Sequence, residues 1–287
     1  MHKFIDVIQT AVPELIIDSS KLIECGQNNY LLEVNGKWMF RFPKAPVNLE
    51  EDKLEYRILS VLTGQVSLPI PNPSYAQLTS HVEDSFYAYE KIDGQPLFQE
   101  AFNSLKDTTK IAQQLGTFLK TLHHPDTKEA LSTLLPVINP KARWQDLYNR
   151  VRNHLFGYMN ASTMAKVTEI FDSIIVEVSS AEFVPCVVHG DFGPSNILFD
   201  PLKEEVTGII DFAEIHIGDP ATDIASLVGK FGYTDAFIDE LSKTYPKAQH
   251  YLKRAKWMTK TFALQEALYG SENNDERAFE AGMKEYI

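Results

Sequence analysis

The sequence predicts an α+β chain in two parts: a turn-rich, strand-rich stretch over residues 1–93 and a longer, largely helical remainder over residues 94–287. Three observations carry this. Asn35-Gly36 stands between two strand-like runs, the strongest short hairpin signal in the chain. Beyond Asp93-Gly94, Leu105, Ile111, Leu115, Phe118 and Leu122 recur at helical spacing. Within that remainder, the short apolar runs 186–188, 197–199 and 206–210 have strand character and bracket polar loops.

Taken in order, residues 1–11 read as a short amphipathic helix with Phe4, Val7 and Ile8 on one side. Strands follow over 21–24, 30–34 and 37–42, the first two separated by the turn Cys25-Gly26-Gln27-Asn28-Asn29. A helix is expected over 49–62, an extended Pro-rich connector over 68–71 and a strand over 85–92. Residues 103–123 read as one long helix, capped by Ser104 with Asp107 and followed by Pro125. Its His123-His124 pair is read as structural, because adjacent helical residues point to different sides. Further helices are expected over 141–156, 164–179, 234–245 and 251–269. Gly218-Asp219-Pro220 reads as a helix start with Asp219 as its cap.

Composition sets the bounds. A chain of 287 residues, 44% hydrophobic and 11% aromatic, has enough apolar surface for one large or two modest cores. Its net charge of -12 disfavours nucleic acid or an anionic membrane as partner and suits a cationic ligand. Two cysteines, Cys25 and Cys186, are too few for a disulfide framework and lack metal-ligand spacing. No stretch is apolar enough to span a bilayer and no leader is read, so a cytoplasmic monomer is the expectation.

The chemistry concentrates between Val187 and Asp223, which reads VVHGDFGPSNILFD and then, after a charged turn, VTGIIDFAEIHIGDPATDIA. Asp191, Asn196 and Asp211 all fall at strand ends. Phosphoryl transfer from a nucleoside triphosphate needs Mg²⁺ held across the phosphates by hard oxygen ligands, and a carboxylate to take the proton of the attacking hydroxyl. An Asp, an Asn five residues on and a later Asp after a strand meet both needs, in the manner of a kinase catalytic loop.

At these residues the chain resembles the aminoglycoside phosphotransferase family, antibiotic and small-metabolite kinases with a protein-kinase-like fold. The motifs HGDxxxxN, IIDF and GDPxxD carry the likeness. The resemblance implies a bilobal kinase-like architecture, with residues 1–93 as nucleotide-binding lobe, a hinge near 89–94 and residues 94–287 as catalytic and acceptor-binding lobe. It implies Asp191 as catalytic base, His189 as organiser of the loop, and Asn196 and Asp211 as Mg²⁺ ligands. It further implies ATP or GTP as donor. Arg41, in WMFRFPK, stands where many members have Lys to grip the phosphates, with Lys44 as a nearby substitute, and Glu55 matches the acid that pairs with it. Gly26 and Asn28 lie in the turn that would cover the triphosphate. Glu90 and Ile92 would offer main-chain groups to the base, with Tyr89 at the back of that pocket.

For the acceptor, Glu214, Asp235 and Glu266 are the candidate binding acids. The end of the chain and FRFPK with KIDGQPL look most like the 2″-aminoglycoside kinases. Against this, Val228-Gly229-Lys230-Phe231-Gly232 replaces the dense acidic cluster those kinases carry and resembles the macrolide kinases instead. The expected function is therefore Mg-dependent transfer of a γ-phosphate to a hydroxyl of a small molecule, an aminoglycoside first. A macrolide 2′-phosphotransferase or a small-metabolite kinase stands behind it, and a catalytically silent nucleotide-binding relative is a third reading.

Overall fold

The computed structural model describes residues 2–23, 28–180, 183–230 and 232–287. In chain order its elements are α1 (His2–Ala11), β1 (Ser20–Ile23), β2 (Asn29–Val34), β3 (Trp38–Pro43), α2 (Pro46–Leu62), β4 (Pro73–Gln77), β5 (Phe86–Glu90) and β6 (Gln95–Pro96). Five helices follow: α3 (Gln99–Ser104), α4 (Thr109–Leu122), α5 (Pro125–Leu131), α6 (Pro140–Leu155) and α7 (Ala161–Ser180). Then come β7 (Cys186–Val188), β8 (Ile197–Asp200), β9 (Glu205–Ile209) and β10 (His216–Gly218). The chain closes with α8 (Ala221–Val228), α9 (Asp235–Ser242), α10 (Lys247–Thr259), α11 (Phe262–Asn273) and α12 (Glu276–Met283). The fold class is α+β and protein-kinase-like, a small sheet-based N-terminal region and a mostly helical remainder.

Two compact units emerge. The first comprises Met1–Pro96 with Ile197–Ala213, the second Leu97–Asn196 with Glu214–Ile287. A division at residues 93 and 94 would leave the β8–β9 hairpin with the helices. The hairpin belongs instead with the first unit, because β6 pairs with β8 and Ile209 N–H donates to the Pro69 carbonyl.

The first unit is built on an antiparallel sheet of order β1-β2-β3-β5-β4. Residues 35–37 join β2 to β3, with Val34 paired to Trp38; Asn35 and Gly36 take φ of 55° and 63°, the left-handed pair of a type I′ turn, which Lys37 N–H closes on Val34 O. Asn35 adds its own side chain, Oδ1 accepting the N–H groups of Asp18 and Ser19 and Nδ2 donating to Ile16 O. Alternation then sorts the strands. Leu32, Val34, Phe40, Phe42, Phe86 and Ala88 form a core against Ile8 and Val12 at the α1 side, while Arg41 and Tyr87, paired across β3 and β5, point to the other face.

In the second unit, α6 begins at Pro140 under an Asn139 cap, Oδ1 accepting Ala142 N–H, and α9 and α12 are capped likewise by Thr234 and Asp275. Two expected helices are each broken. Over 103–123 the chain leaves the helix at Leu105, with ψ of 138°, and restarts at Thr109, whose N–H goes to Asp107 Oδ1. The Asp side chain thus caps a new start instead of lying inside one helix. Over 251–269 the break falls at Thr259–Thr261, where the buried Thr261 hydroxyl donates to Met258 O and ends α10. Among the described residues no helix is long and apolar enough to cross a membrane.

Candidate active site

The segment His189–Asn196 leaves β7 and is fixed from below. Gly190 sits at φ 90°, and a Cβ there would meet Glu214 O at 2.3 Å, so only glycine fits this turn. Asp223, in the first turn of α8 and fully buried, accepts the N–H of His189 on Oδ2 at 3.0 Å and that of Gly190 on Oδ1 at 2.9 Å. Burial pushes its carboxyl up, yet the hydrogen bonds from His123 and Gly190 outweigh it and hold Asp223 below the usual carboxylate range. His123 lies 2.9 Å from Asp223 Oδ2 through Nε2 and 2.9 Å from the Tyr245 hydroxyl through Nδ1. The structural reading of His123 therefore has a definite content: it closes a buried chain of hydrogen bonds under the loop.

On the loop itself, His189 is fully buried and its Nδ1 accepts the Asp191 N–H at 3.3 Å. Phe192 stacks on Phe118 of α4, ring centroids 5.4 Å apart and 3° from parallel. Asn196 donates Nδ2 to both Oδ2 and the carbonyl of Asp191, each at 2.9 Å. Its amide N–H groups are spent on Asp191, which leaves Oδ1 as the atom free to meet a cation. Asp191, Asn196 and His189 are thus brought together, with the Asp191 carboxylate exposed.

Asp191 lines a cavity of about 1470 Å³ whose walls all come from the second unit. Trp144, Leu147 and Met258 give it apolar surface, and Glu266 of α11, one of the three candidate acids, is on its wall. Asp235 and Glu214 are not. Asp235 is taken by Lys256, and Glu214 serves through its carbonyl, which accepts Nδ1–H of His216 at 2.7 Å. The wall residues Arg143, Glu100 and Glu285 escaped sequence reasoning. Lys230 is also on the wall and pairs with Glu285 at 3.6 Å, while Phe231 lies outside the described residues.

In the first unit Arg41 meets Glu55 at 2.9 Å and Asp52 at 3.9 Å, and lies over the ring of Tyr87. Lys44 instead lies over Tyr30, 5.0 Å from the ring centroid. Among the described residues, four buried polar atoms in this cluster meet no hydrogen-bond partner: Arg41 Nε, Tyr87 Oη, Asn29 Oδ1 and Asp52 Oδ2. Unsatisfied buried donors and acceptors of this kind call for a ligand or water. Tyr89, two residues along the same strand, shares the face that carries Arg41, and burial pushes its hydroxyl up. Asp211 follows β9 with φ 65°, a strained position for a residue other than glycine, and its charge pushes the Glu55 carboxyl upward, after burial and against Arg41. Glu90 and Ile92 line a separate cavity of about 760 Å³ with Pro69 and Thr207. Asn28 donates to Glu51, and Gly26 lies outside the described residues. Among the described residues no three His, Cys, Asp or Glu side chains form a ready metal cage.

One cation between two buried carboxylates has a measurable cost. Burial pushes Asp52 up to about 6, with Arg41 and the Asn29 amide pulling the other way. A carboxyl raised on folding contributes stability while protonated, below about pH 4, and loses that contribution as pH rises through about 6. Asp52→Asn keeps the acceptor for Asn29 and removes the charge. It is expected to exceed the natural protein by up to about 3 kcal/mol at pH 7.5 and to match it near pH 3.5, as read by urea unfolding at both pH values.

A family model for the phosphotransferase enzyme family matches residues 21–257. The chain belongs to this family. It is a phosphotransferase, and the likeness extends across its whole length. Viomycin phosphotransferase of Streptomyces vinaceus is 27% identical over 211 residues, 71% of this chain and 70% of that protein. A GDP and kanamycin complex of APH(2")-IIIa superposes with a TM-score of 0.88 at 26% identity, covering 99% of this chain and 97% of that one. The apoenzyme of the macrolide 2′-phosphotransferase MphH from Brachybacterium faecium shares the fold, with a TM-score of 0.77 at 19% identity over 98% and 97% of the two chains.

Proposed function

We propose that this phosphotransferase moves the γ-phosphate of ATP or GTP to a hydroxyl of an amine-bearing antibiotic seated in the large cavity, with an aminoglycoside the first class to test. The observation that carries the reading is Asp191, clamped by Asn196 and facing a cavity large enough for such an acceptor. The acceptor oxygen attacks the γ-phosphorus, the bond from that phosphorus to the β-bridging oxygen breaks, and the hydroxyl proton passes to Asp191 as the nucleoside diphosphate leaves. In this reading Arg41 grips the phosphates, and its partnerless Nε is a donor suited to a phosphate oxygen. Asn196 Oδ1 and the Asp211 carboxylate are each hard oxygen donors of the kind Mg²⁺ takes, and the ion would neutralise phosphate charge. Glu266 and Glu100 supply carboxylates for amines.

A macrolide acceptor is the second reading, favoured by Lys230 on the wall and by the apolar surface of Trp144, Leu147 and Met258. Mass spectrometry of a mixed panel of aminoglycosides and macrolides, incubated with enzyme, Mg²⁺ and ATP or GTP, separates the two. A gain of one phosphate on an aminoglycoside is the expected result. A gain on macrolides alone moves the second reading to the front, and nucleotide binding with no gain on any acceptor overturns both.

A further inference from the structure

Arg143 stands out among the chain's sequestered guanidinium groups. Arg254 is held by both oxygens of Asp219 and Arg41 by Glu55, but Arg143 pairs with no carboxylate among the described residues. Its one hydrogen bond runs from Nη1 to Nε2 of His216 at 3.1 Å. That partner is neutral. His216 donates Nδ1–H to the Glu214 carbonyl at 2.7 Å, which leaves Nε2 with a lone pair to receive the guanidinium, and burial holds the imidazole below its ordinary value. Burial likewise pulls Arg143 down, with the Glu214 charge opposing, but a guanidinium stays protonated throughout the physiological range. The result is a half-buried full positive charge with most of its fork of donors unspent, on the same cavity wall as Asp191. Keeping such a charge without a counter-ion is costly unless a ligand supplies one.

The position of the dyad is fixed by the fold. His216 sits on β10 opposite Val188 of β7, just before the catalytic loop, and Glu214 packs its carbonyl on Gly190. Arg143 comes from the first turns of α6, next to Trp144. Glu100 and Glu266 line the same cavity and form no ion pair among the described residues.

We propose that Arg143, held by His216, is an anchor for a carboxylate, so that beside bare polycations the cavity takes amphoteric acceptors, with amines toward the glutamates and an anionic oxygen group toward Arg143. This deepens the phosphotransferase reading given above and rests on it for the word acceptor. It extends the acceptor class from bare polycations to amine-bearing molecules that also carry an acid. Anionic oxygen could equally come from the γ-phosphoryl group of the donor, and the test separates the two sources.

Binding is measured by calorimetry without nucleotide, on a matched pair of probes, 2-amino-2-deoxyglucuronate and its uronamide, with the natural enzyme, Arg143→Gln and Arg143→Lys. Nucleotide affinity is measured alongside. The natural enzyme is expected to prefer the acid over the amide by about tenfold or more, the range of a charge-assisted hydrogen bond. Arg143→Gln is expected to abolish that preference while leaving amide and nucleotide affinities unchanged, which also shows that the variant is folded. Arg143→Lys is expected to retain part of it. No preference in the natural enzyme overturns the proposal, as does a loss of nucleotide affinity in Arg143→Gln with the acid preference intact, which assigns the charge to the donor phosphates. Because no turnover is involved, an acid preference without phosphoryl transfer to any acceptor would sink the proposed function and leave the anchor standing.

Discussion

Replacing Asp191 with alanine is expected to lower phosphoryl transfer by about a thousandfold while moving the melting temperature little. The carboxylate is exposed and its backbone N–H and carbonyl keep their bonds to His189 and Asn196, so the loop loses one side-chain hydrogen bond and no packing. Removing a positioned general base costs about 10² to 10⁴ in rate. The loss should appear in kcat, with nucleotide affinity unchanged, and single-turnover kinetics beside a thermal melt reads both. A residual rate within tenfold of the natural enzyme would mean that Asp191 neither orients nor deprotonates the acceptor.

The second large effect is on stability. Asp219 was legible as a helix cap, and its Oδ1 does accept Ala221 N–H. The same carboxylate also receives Arg254 through two hydrogen bonds of 2.6 and 2.7 Å, with both side chains buried and the guanidinium against the ring of Phe183. Asp219→Ala therefore strands a buried cation and is expected to cost about 3 to 5 kcal/mol. Asp219→Ala combined with Arg254→Met removes the stranded charge and should recover a large part of the loss. Chemical denaturation of the single and double variants decides it: if the double variant is no more stable than Asp219→Ala, the ion pair is not the source of the cost.

What was readable in the chain tracks how local its cause is. The Asn35-Gly36 hairpin was legible because two residues set their own φ, and the strands around Asp191 because a polar loop between apolar runs is a short-range pattern. The Arg41–Glu55 pair was expected only through family likeness, and the structure adds Asp52 to it, a residue that falls between Leu49 and Leu59 on the buried stripe of α2. The two broken helices were missed for a local reason of another kind: at Asp107 and Thr261 a single side-chain hydrogen bond overrides a periodic pattern. Contacts across long sequence separations left no trace. His123 lies 100 residues from Asp223, and Arg143 lies 73 from His216. An Arg in the first turns of an amphipathic helix carries no mark that distinguishes a cavity wall from solvent.

Among the described residues, every side chain lining the large cavity comes from 97–196 and 214–287, and none from the stretch that carries Arg41, Glu55 and Asp211. On the proposed reading, choice of acceptor and the Arg41 grip on the donor are inherited through different parts of the gene. On that reading, a lineage under a changing chemical threat can rework the walls around Trp144 and Glu266 substitution by substitution, without touching Arg41, Glu55 or Asp211. Resistance to a new compound then asks for a new wall and not for a new enzyme.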